Sequence, residues 1–508
     1  MKTKYKLLLV RPIQGFKHYS AQKELSILLG KKAANPALAL PLLAALTPDH
    51  YDIVIVDEEV SEIPEDYTPD IVGITLLASN AERGYEIANK FKAKGAKIIF
   101  GGPHVSYEVD EGLEYSDTVV IGEAEGLWQD VLIDFENNQL KKTYKLETTP
   151  EYKESPIPRW DLMQTDKYIS LNIQASRGCP FQCEFCLTSQ MFGRKMRFRG
   201  IDNVIEEVKA SPIKNIFFCD DNLTINKKYA LKLFEKLEPL KISWMCQSSV
   251  DVADDMSFLQ KMADAGCKFI LIGFESINED SLEETHKHQN NKEKYLEIID
   301  RVQSVGIHVY GSFIWGFDND KKEDVPKFKD FIQKANLPVF ILSILSVTKG
   351  TELYTRMLKD GRLYENAQNS YNIGSFPLIK HTHFTNHEIM SSLNDIFDDL
   401  YSFKMIRERV IPMLKKGYFS KEGNLGTITN KQKFDTTTLL LKRFIFSLDK
   451  ERRRFGKDVF KLIRTKKIAI SEAISLLLML ESINQHLKKE IPQREHFFEV
   501  GELLRLPV

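Results

Sequence analysis

Short apolar runs alternate with helical patterns through the first two thirds of this 508-residue chain, and the alternation then stops. Such alternation predicts a parallel sheet covered by helices on both faces. In residues 1–135 the apolar runs lie at Leu7 to Val10, Ile53 to Val56, Ile71 to Thr75, Lys97 to Phe100 and Thr118 to Ile121. Asn35 and Pro36 are predicted to begin a helix, because a polar cap precedes proline. We predict an α/β chain whose N-terminal domain is a doubly wound, flavodoxin-like sheet with its ligand at the carboxyl ends of the strands.

The alternation continues in a second unit, residues 165–350, after a polar, proline-containing linker at residues 136–164. Its apolar runs lie at Ile169 to Ala175, Asn215 to Cys219, Ile242 to Gln247, Phe269 to Gly273, His308 to Trp315 and Val339 to Leu345. Six strand-helix units predict a partial (β/α)6 barrel, a shortened relative of the eight-unit barrel, with its active-site groups at the carboxyl ends of the strands. Residues 351–508 lose the strand pattern and are predicted to form a mostly helical C-terminal domain.

Composition limits the class of protein. Hydrophobic residues make up 43% and charged residues 28% of the chain, as in ordinary soluble proteins. The net charge of -1 gives no overall attraction to nucleic acid or anionic lipid. No apolar run approaches the 18 or more residues of a membrane span, and the first residues carry no targeting signal. We therefore predict a cytoplasmic enzyme with no nucleic-acid partner.

Three cysteines, Cys179, Cys183 and Cys186, follow the first apolar run of the second unit with the spacing CxxxCxxC. Three thiolates on one loop suit an iron-sulfur cluster with one open iron, because cubane clusters are normally held by four cysteines. A zinc site is the alternative, but no fourth ligand follows at zinc-site spacing. A disulfide framework is disfavoured in an intracellular chain of this size. The other cysteines, Cys219, Cys246 and Cys267, are predicted to be core residues.

This cysteine run, with the aromatic Phe185 before its last member, resembles the signature of the radical S-adenosylmethionine (SAM) enzymes. The resemblance implies a 4Fe-4S cluster on Cys179, Cys183 and Cys186, whose open iron binds SAM and whose electron cleaves it to a 5'-deoxyadenosyl radical. An external electron donor such as flavodoxin or ferredoxin is implied as well. The resemblance also implies SAM contacts at other strand ends, where the residues are Phe185, Asp220, Gly273, Glu275 and Ser276. Asp220 is predicted to hold the amino group of SAM, since charge-assisted hydrogen bonds are strong.

Two loops of the N-terminal domain resemble elements of cobalamin-binding domains. The segments from Thr75 to Ser79 and from Gly101 to His104 are similar to the Ser-x-Leu and Gly-Gly elements that such domains place along the nucleotide tail of the cofactor. Glycine suits that place because it lets backbone approach a ligand closely; a plain turn is the alternative. The predicted cobalamin contacts are Thr75, Leu77, Ser79, Gly101, Gly102 and Glu123.

The histidine that some cobalamin domains offer to cobalt is missing from its usual loop. The pattern Asp-x-His-x-x-Gly is replaced here by Asp57, Glu59 and Glu62. Cobalamin-binding radical SAM enzymes commonly lack it, so the absence favours this subgroup. His104 could substitute as a ligand, but a loop histidine bonded to backbone or cofactor is the favoured interpretation.

Taken together, the motifs resemble the cobalamin-binding radical SAM enzymes, and the helical tail resembles the subgroup that includes the hopanoid lipid methylases. This implies methylation of an unactivated carbon of a hydrophobic small molecule or lipid, by a substrate radical that takes the methyl group from methylcobalamin. A cobalamin radical SAM enzyme that cyclises or rearranges its substrate would carry the same motifs. A methylthiotransferase or RNA-modifying enzyme would need further cysteines or an RNA-binding domain, and a non-catalytic cobalamin sensor would not need the cysteine loop.

A basic amphipathic stretch lies in the C-terminal part, from Lys442 to Lys467, where lysine and arginine alternate with phenylalanine, isoleucine and leucine. Such a stretch can lie on an anionic membrane surface. It can equally be a solvated face packed against the other domains. Peripheral membrane contact is therefore one of two predictions for this stretch.

Overall fold

The computed structural model of the chain describes residues 5–14, 21–364, 374–417, 437–465 and 467–499, with side chains up to residue 491. Its first sheet has six parallel strands in the order β2-β1-β3-β4-β5-β6. The strands are β1 (Tyr5–Arg11), β2 (Tyr51–Asp57), β3 (Ile71–Thr75), β4 (Lys97–Gly101), β5 (Thr118–Ile121) and β6 (Thr143–Lys145). The strand order reverses beside β1, which places the switch point of a doubly wound sheet between β1 and β3.

Helices cover both faces of this sheet. They are α1 (Ala21–Leu28), α2 (Ala39–Leu46), α3 (Ala81–Lys92), α4 (Pro103–Tyr107), α5 (Val109–Tyr115) and α6 (Trp128–Glu136). Leu7 and Leu9 pack with Trp128 on one face, and Leu8 and Val10 pack on the other. Strand β6 lies within the segment predicted as a linker. The helix predicted near Asn35 begins at Ala39, and the Asn35 amide instead donates to Ser170 Oγ at 2.6 Å.

The second sheet is the open barrel, with strand order β14-β13-β12-β11-β10-β7. Its strands are β7 (Leu171–Ile173), β10 (Asn215–Phe218), β11 (Ser243–Ser248), β12 (Cys267–Glu275), β13 (His308–Trp315) and β14 (Val339–Ile344). A short antiparallel hairpin, β8 (Ser176–Arg177) with β9 (Arg197–Phe198), follows β7 and encloses the cysteine loop. The intervening helices are α7 (Thr188–Phe192), α8 (Ile201–Ala210), α9 (Lys227–Leu237), α10 (Met256–Asp264), α11 (Glu279–Glu284), α12 (Tyr295–Ser304) and α13 (Val325–Lys334).

The remainder of the described chain is helical. It contains α14 (Glu352–Lys359), α15 (Asn386–Leu400), α16 (Phe403–Lys415), a π-helical turn at Leu441–Ile445, α17 (Lys450–Arg464) and α18 (Ile470–Glu499). Buried side chains of α15, α16, α17 and α18 belong to the same hydrophobic core as the barrel, so this part packs on the barrel. No helix in the described ranges is both long and apolar enough to cross a membrane.

Candidate active site

The carboxyl ends of the two sheets meet at a cavity of about 290 Å³. Thr75, Gly101, Gly102 and Glu123 line it from the N-terminal sheet. From the barrel side, Gln174, Arg177 and Cys219 complete its wall. Four of the six predicted cobalamin contacts therefore lie together, and the same cavity reaches the strand that leads into the cysteine loop.

The loops at this sheet edge keep room for a ligand. A β-carbon added at Gly101 or at Gly122 would meet no heavy atom within 4 Å. At Gly102 the backbone has φ 100°, and an added β-carbon would lie 2.7 Å from the Leu76 carbonyl oxygen, so glycine is required there. These glycines leave space at the carboxyl ends of the strands, where the predicted cobalamin would be held.

Leu77 and Ser79 do not line this cavity. Leu77 is 40% exposed, and its N–H donates to Asn80 Oδ1 at 2.8 Å. Ser79 lies in the single turn of 3-10 helix Ala78–Asn80. The neighbouring Leu76 is the buried residue here, and its N–H donates to the Gly101 carbonyl at 2.8 Å. The loop after β3 thus presents Leu77 to solvent at the outer edge of the sheet.

Carboxylates of the loop after β2, where the cobalt-binding motif would lie, bind residues of neighbouring elements. Glu58 accepts a hydrogen bond from the Ile13 N–H at 3.0 Å and pairs with Arg83 at 2.8 Å. Glu59 pairs with Lys23 at 3.4 Å. His104 is buried, and its Nε2 lies 2.9 Å from the Tyr85 hydroxyl; burial lowers its pKa. The His104 imidazole is therefore bonded within the N-terminal domain, which suits a structural role.

Arg177 joins the two domains. Its Nη1 lies 2.6 Å from Glu123 Oε2, and its Nη2 pairs with Glu125. Arg197 also pairs with Glu123 through Nη1 at 3.0 Å. Burial alone would raise the pKa of Glu123, but the guanidinium groups of Arg197 and Arg177 outweigh it and lower that pKa. Glu123, predicted as a cofactor contact, therefore lines the cavity with its carboxylate held by two arginines.

The cysteine loop follows Arg177 directly. Cys183 is buried, and Cys179 and Cys186 are half-buried. The three thiols are close enough that charge on Cys186 and Cys183 adds to burial in raising the pKa of Cys179 to about 11. Among the described residues, no three His, Cys, Asp or Glu side chains converge on a point where a metal ion would sit. In a cubane cluster each cysteine binds a separate iron, and three cysteines on one loop are what the sequence predicts for such a cluster.

A buried cation lies beside these thiols. Lys287 Nζ is 3.0 Å from Glu275 Oε1, and both side chains are about one tenth exposed. Burial alone would lower the pKa of Lys287, but the charges of Glu275 and Cys183 outweigh it and raise that pKa. The Lys287 ammonium in turn opposes the rise that burial causes in the pKa of Cys183. It therefore favours the thiolate, the form that binds iron.

A second ion-pair group anchors the loop from the C-terminal part. Arg356 on α14 donates to both oxygens of Glu184, at 2.6 and 2.9 Å. It also pairs with Asp318 after β13 at 2.7 Å and with Glu284 on α11 at 3.1 Å. Arg362 donates a further hydrogen bond to Asp318 at 2.9 Å. Because Glu184 stands between Cys183 and Cys186, these contacts fix the middle of the loop.

The two carboxylates after β10 have different surroundings. Asp220 is fully buried, and its oxygens accept hydrogen bonds from the Ala175 N–H at 3.0 Å and the Ser176 hydroxyl at 2.6 Å. Asp221 accepts one hydrogen bond from the Thr188 hydroxyl at 2.9 Å. Its Oδ2 is buried and has no partner in the described part of the chain. Burial raises the pKa of each to about 6. Asp221, and not the predicted Asp220, offers a free acceptor.

The remaining predicted SAM contacts lie around β12. Glu275 has φ 62°, an uncommon conformation for a non-glycine residue, and a β-carbon at Gly273 would collide with its carboxylate. Ser276 accepts a hydrogen bond from the Asn278 N–H at 3.0 Å and so caps a turn. Phe185 lies with its ring centroid 6.1 Å from that of Phe317. Glu275 and Gly273 are thus beside the cysteine loop, whereas Ser276 is used by the local turn.

Several residues of this site were not predicted from the sequence. They are Arg177, Arg197, Asp221, Lys287 and Arg356. Arg177 stands two residues before Cys179, and that position was the available signal. Lys287 and Arg356 carry no motif, because their partners lie on other elements of the fold. Cys246 and Cys267 are buried as predicted, and Cys219 lines the cavity with its thiol 3.5 Å from the Ile173 carbonyl oxygen.

Comparison with known proteins matches each of the three parts of the chain to a protein family. The B12 binding domain model matches residues 35–132, the radical SAM superfamily model matches residues 173–332, and the model named Domain of unknown function (DUF4070) matches residues 351–495. The bacteriochlorophyllide d C-8(2)-methyltransferase of Chlorobaculum tepidum is 33% identical over 66% of this chain and 79% of its own length. The chain belongs to the cobalamin-dependent radical SAM methyltransferases. The hopanoid C-2 methylase of Rhodopseudomonas palustris is a further relative, 26% identical over 67% of the chain and 68% of its own length.

Solved structures agree on the fold. The radical SAM methyltransferase TsrM from Kitasatospora setae, with cobalamin and a [4Fe-4S] cluster bound, has a TM-score of 0.59 at 12% identity, over 91% of this chain and 99% of its own. The cobalamin-dependent radical SAM enzyme OxsB, with aqua-cobalamin and SAM bound, has a TM-score of 0.59 at 15% identity, over 98% of this chain and 81% of its own. The predicted fold class is confirmed, while the predicted domain boundaries stay predictions.

The predicted cofactors of the methyltransferase, a 4Fe-4S cluster, SAM and cobalamin, are confirmed by its family. When bound, the cluster and SAM supply one-electron chemistry and cobalamin supplies a transferable methyl group, while the protein supplies position. Here Arg177 and Glu123 hold the edges of the two sheets together, and Arg356 holds the cysteine loop at its midpoint. Both contacts hold the carboxyl edge of the N-terminal sheet and the cysteine loop in one arrangement.

Replacing Cys179, Cys183 and Cys186 together by alanine is expected to abolish the cluster and SAM cleavage, because thiolates are the cluster ligands. Iron and sulfide content and 5'-deoxyadenosine formation after anaerobic reconstitution measure this. The matched control is Cys246→Ala in the barrel core, which should keep both. Cobalamin binding should survive in the triple variant and serves as the check on folding. Cluster and SAM cleavage retained in the triple variant would contradict the assignment.

Proposed function

We propose that this enzyme methylates an unactivated carbon of a hydrophobic small molecule or lipid, held between the sheet edge of the N-terminal domain and the cysteine loop. The observation that carries the proposal is that one cavity joins the two sheets. Its wall runs from Gly101 and Gly102, proposed to hold the cobalamin tail, to Arg177, which leads into the cysteine loop. Relatives whose names give bacteriochlorophyllide and hopanoid methylation support the substrate class.

In this proposal the residues have separate tasks. Cys179, Cys183 and Cys186 hold the cluster. Thr75, Gly101 and Gly102 line the place of the cobalamin tail, with Leu77 and Ser79 at the outer rim and Glu123 in the wall. Gly273 and Glu275 face SAM from β12. Asp221 takes the role predicted for Asp220, because its free, buried Oδ2 can accept a hydrogen bond from an ammonium group.

Analysis of products tests the reaction class. A methyltransferase of this class should yield S-adenosylhomocysteine along with 5'-deoxyadenosine. The substrate is to be sought by comparing lipids and metabolites of a deletion strain with the parent, where compounds should lack one methylene unit. A product of unchanged formula together with 5'-deoxyadenosine, without S-adenosylhomocysteine, would support a rearranging enzyme and overturn the proposal.

The variant Asp221→Asn is expected to weaken SAM binding by about tenfold or more, because a hydrogen bond to a charged group contributes about 1.5–3 kcal/mol. Equilibrium dialysis of SAM against cluster-loaded protein measures the affinity. The matched control is Asp220→Asn, where we expect a lower thermal midpoint with SAM affinity changed less, since Asp220 braces two neighbouring strand ends. Equal affinity for wild type and Asp221→Asn would refute the role of Asp221.

The electron for the cluster is proposed to come from an external donor such as flavodoxin or ferredoxin. The radical SAM superfamily match over residues 173–332 supports this.

The basic stretch Lys442 to Lys467 is proposed to contact a membrane surface. Within it, Phe446 is 75% and Leu448 97% exposed, between the π-helical turn and α17. Lys442 and Arg443 lie on the same surface. Arg452 of this stretch does not face solvent, because it is buried and pairs with Glu481 at 2.9 Å. Lys466 lies outside the described residues. Two exposed apolar side chains among cations suit an anionic lipid surface.

Replacing both apolar side chains, Phe446→Asp with Leu448→Asp, is expected to reduce binding to vesicles of phosphatidylglycerol and phosphatidylcholine by at least fivefold. Loss of apolar insertion and added negative charge act in the same direction. The control is Ile133→Asp, at a residue 55% exposed on the N-terminal domain. Co-sedimentation of the full-length enzyme measures binding. Equal binding of the double variant and the control would remove this surface from the proposal.

A further inference from the structure

The inward face of the open barrel is partly accessible on five strands within the described part of the chain. On β10, β11, β12, β13 and β14 buried and half-buried residues alternate. The buried set packs under the helices in the main core. The half-buried set faces inward, and it includes Phe217, Met245, Gln247, Leu271, Ser312 and Ile314. Side chains therefore do not fill the bore as they fill a closed eight-stranded barrel.

A second cavity, of about 240 Å³, lies at the end of the bore opposite the cysteine loop. Met245, Phe269 and Tyr310 line it from the first half of their strands. The same strands end in active-site residues, so β12 carries both Phe269 at this cavity and Glu275 beside the cysteine loop. Six residues separate these two, which corresponds to about 20 Å along a strand.

Two helices from opposite ends of the chain close this cavity. Leu25 and Leu29 reach it from the α1 segment, and Leu478 and Met479 reach it from α18. The helices are joined by Lys489 with Glu24. The start of α18 is held to the barrel, because Glu472 lies 3.1 Å from His308 on β13. The closure is thus built from apolar side chains and anchored by ion pairs outside the cavity.

The walls of this lower cavity are mainly apolar. Lys268 is the one charged side chain among the described residues that line it. Tyr310 also lines it, and burial raises the pKa of its hydroxyl to about 12. An apolar space of this kind takes hydrocarbon, because burying uncompensated polar groups is costly.

We infer that the lower cavity holds the far end of a long apolar chain of the substrate, which enters the bore beside the cysteine loop and extends about 20 Å down it. This inference rests on the proposed function and narrows its substrate class to lipids with a long hydrocarbon or isoprenoid segment. The reacting carbon then lies near the top of the bore and the unreactive end lies between α1 and α18. The cavity selects for chain length.

An undecanoic acid with a terminal dansyl group serves as the probe, titrated by fluorescence into the cofactor-loaded enzyme. We expect saturable binding, displaced by saturated fatty acids whose affinity rises by about fourfold per methylene until the cavity is filled. The variant Ser475→Trp fills the cavity from α18 and should weaken probe binding at least tenfold. Its control is Ile470→Trp on the same helix, at a residue 63% exposed, which should bind like wild type.

Equal probe binding by Ser475→Trp and Ile470→Trp would overturn the inference, as would competitor affinity that does not depend on chain length. Cluster and cobalamin content are measured on the same samples, and thermal unfolding shows whether each variant is folded. As a second variant, Leu25→Trp fills the cavity from α1 and should reproduce the loss. A failed probe experiment with both cofactors bound rejects the lipid cavity alone, whereas failure to form methylated product rejects the proposed function.

Discussion

The ion pairs of Arg177 are the interaction on which the arrangement of this enzyme depends. Arg177 stands on the short hairpin strand β8, two residues before the first cysteine of the cluster loop, and it reaches Glu123 and Glu125 at the edge of the other sheet. Its guanidinium also lies 4.2 Å from the centroid of the Tyr152 ring. Buried ion pairs contribute little net stability, but removing one partner leaves an uncompensated charge. The group therefore enforces one relative position of the two domains.

The cluster loop is fixed from the other side by Arg356. One guanidinium joins Glu184 in the loop to Asp318 and Glu284 on the barrel. Arg356 belongs to the C-terminal part of the chain, so that part helps to shape the loop as well as cover the barrel. Lys287 favours the thiolate of Cys183, and positive charge close to a thiolate supports metal binding. Arg177 and Arg356 act differently, because they hold the loop in place through carboxylates.

The patterns of apolar residues along the sequence predicted the positions of the strands. Each barrel strand was found within about two residues of its predicted place, because alternation and apolar runs report burial directly. The cavity residues Thr75, Gly101 and Gly102 were predicted by the resemblance of their loops to cobalamin-binding elements, and Glu123 was predicted as a cofactor contact with them. Which of Asp220 and Asp221 keeps a carboxylate oxygen without a partner in the described part of the chain could not be predicted from the sequence. It depends on the Ala175 N–H and the Ser176 hydroxyl, which a neighbouring strand brings to Asp220. The helices α1 and α18, which cover the end of the bore, are joined by the ion pair of Glu24 and Lys489. A contact between such distant segments leaves no periodic pattern in the sequence.

The open barrel explains why those two helices matter. A closed eight-stranded barrel fills its interior with its own side chains, whereas six strands leave a gap and an accessible bore. Something must cover the apolar end of that bore, because exposed apolar surface of this extent is unfavourable in water. Here α1 and α18 provide the cover while leaving about 240 Å³ between themselves and the strands. The cofactor end is built from residues tied by charge, and the far end from residues held by apolar packing. Substrate length can therefore be changed through α1 and α18 without disturbing Arg177, Glu184 or the cysteines.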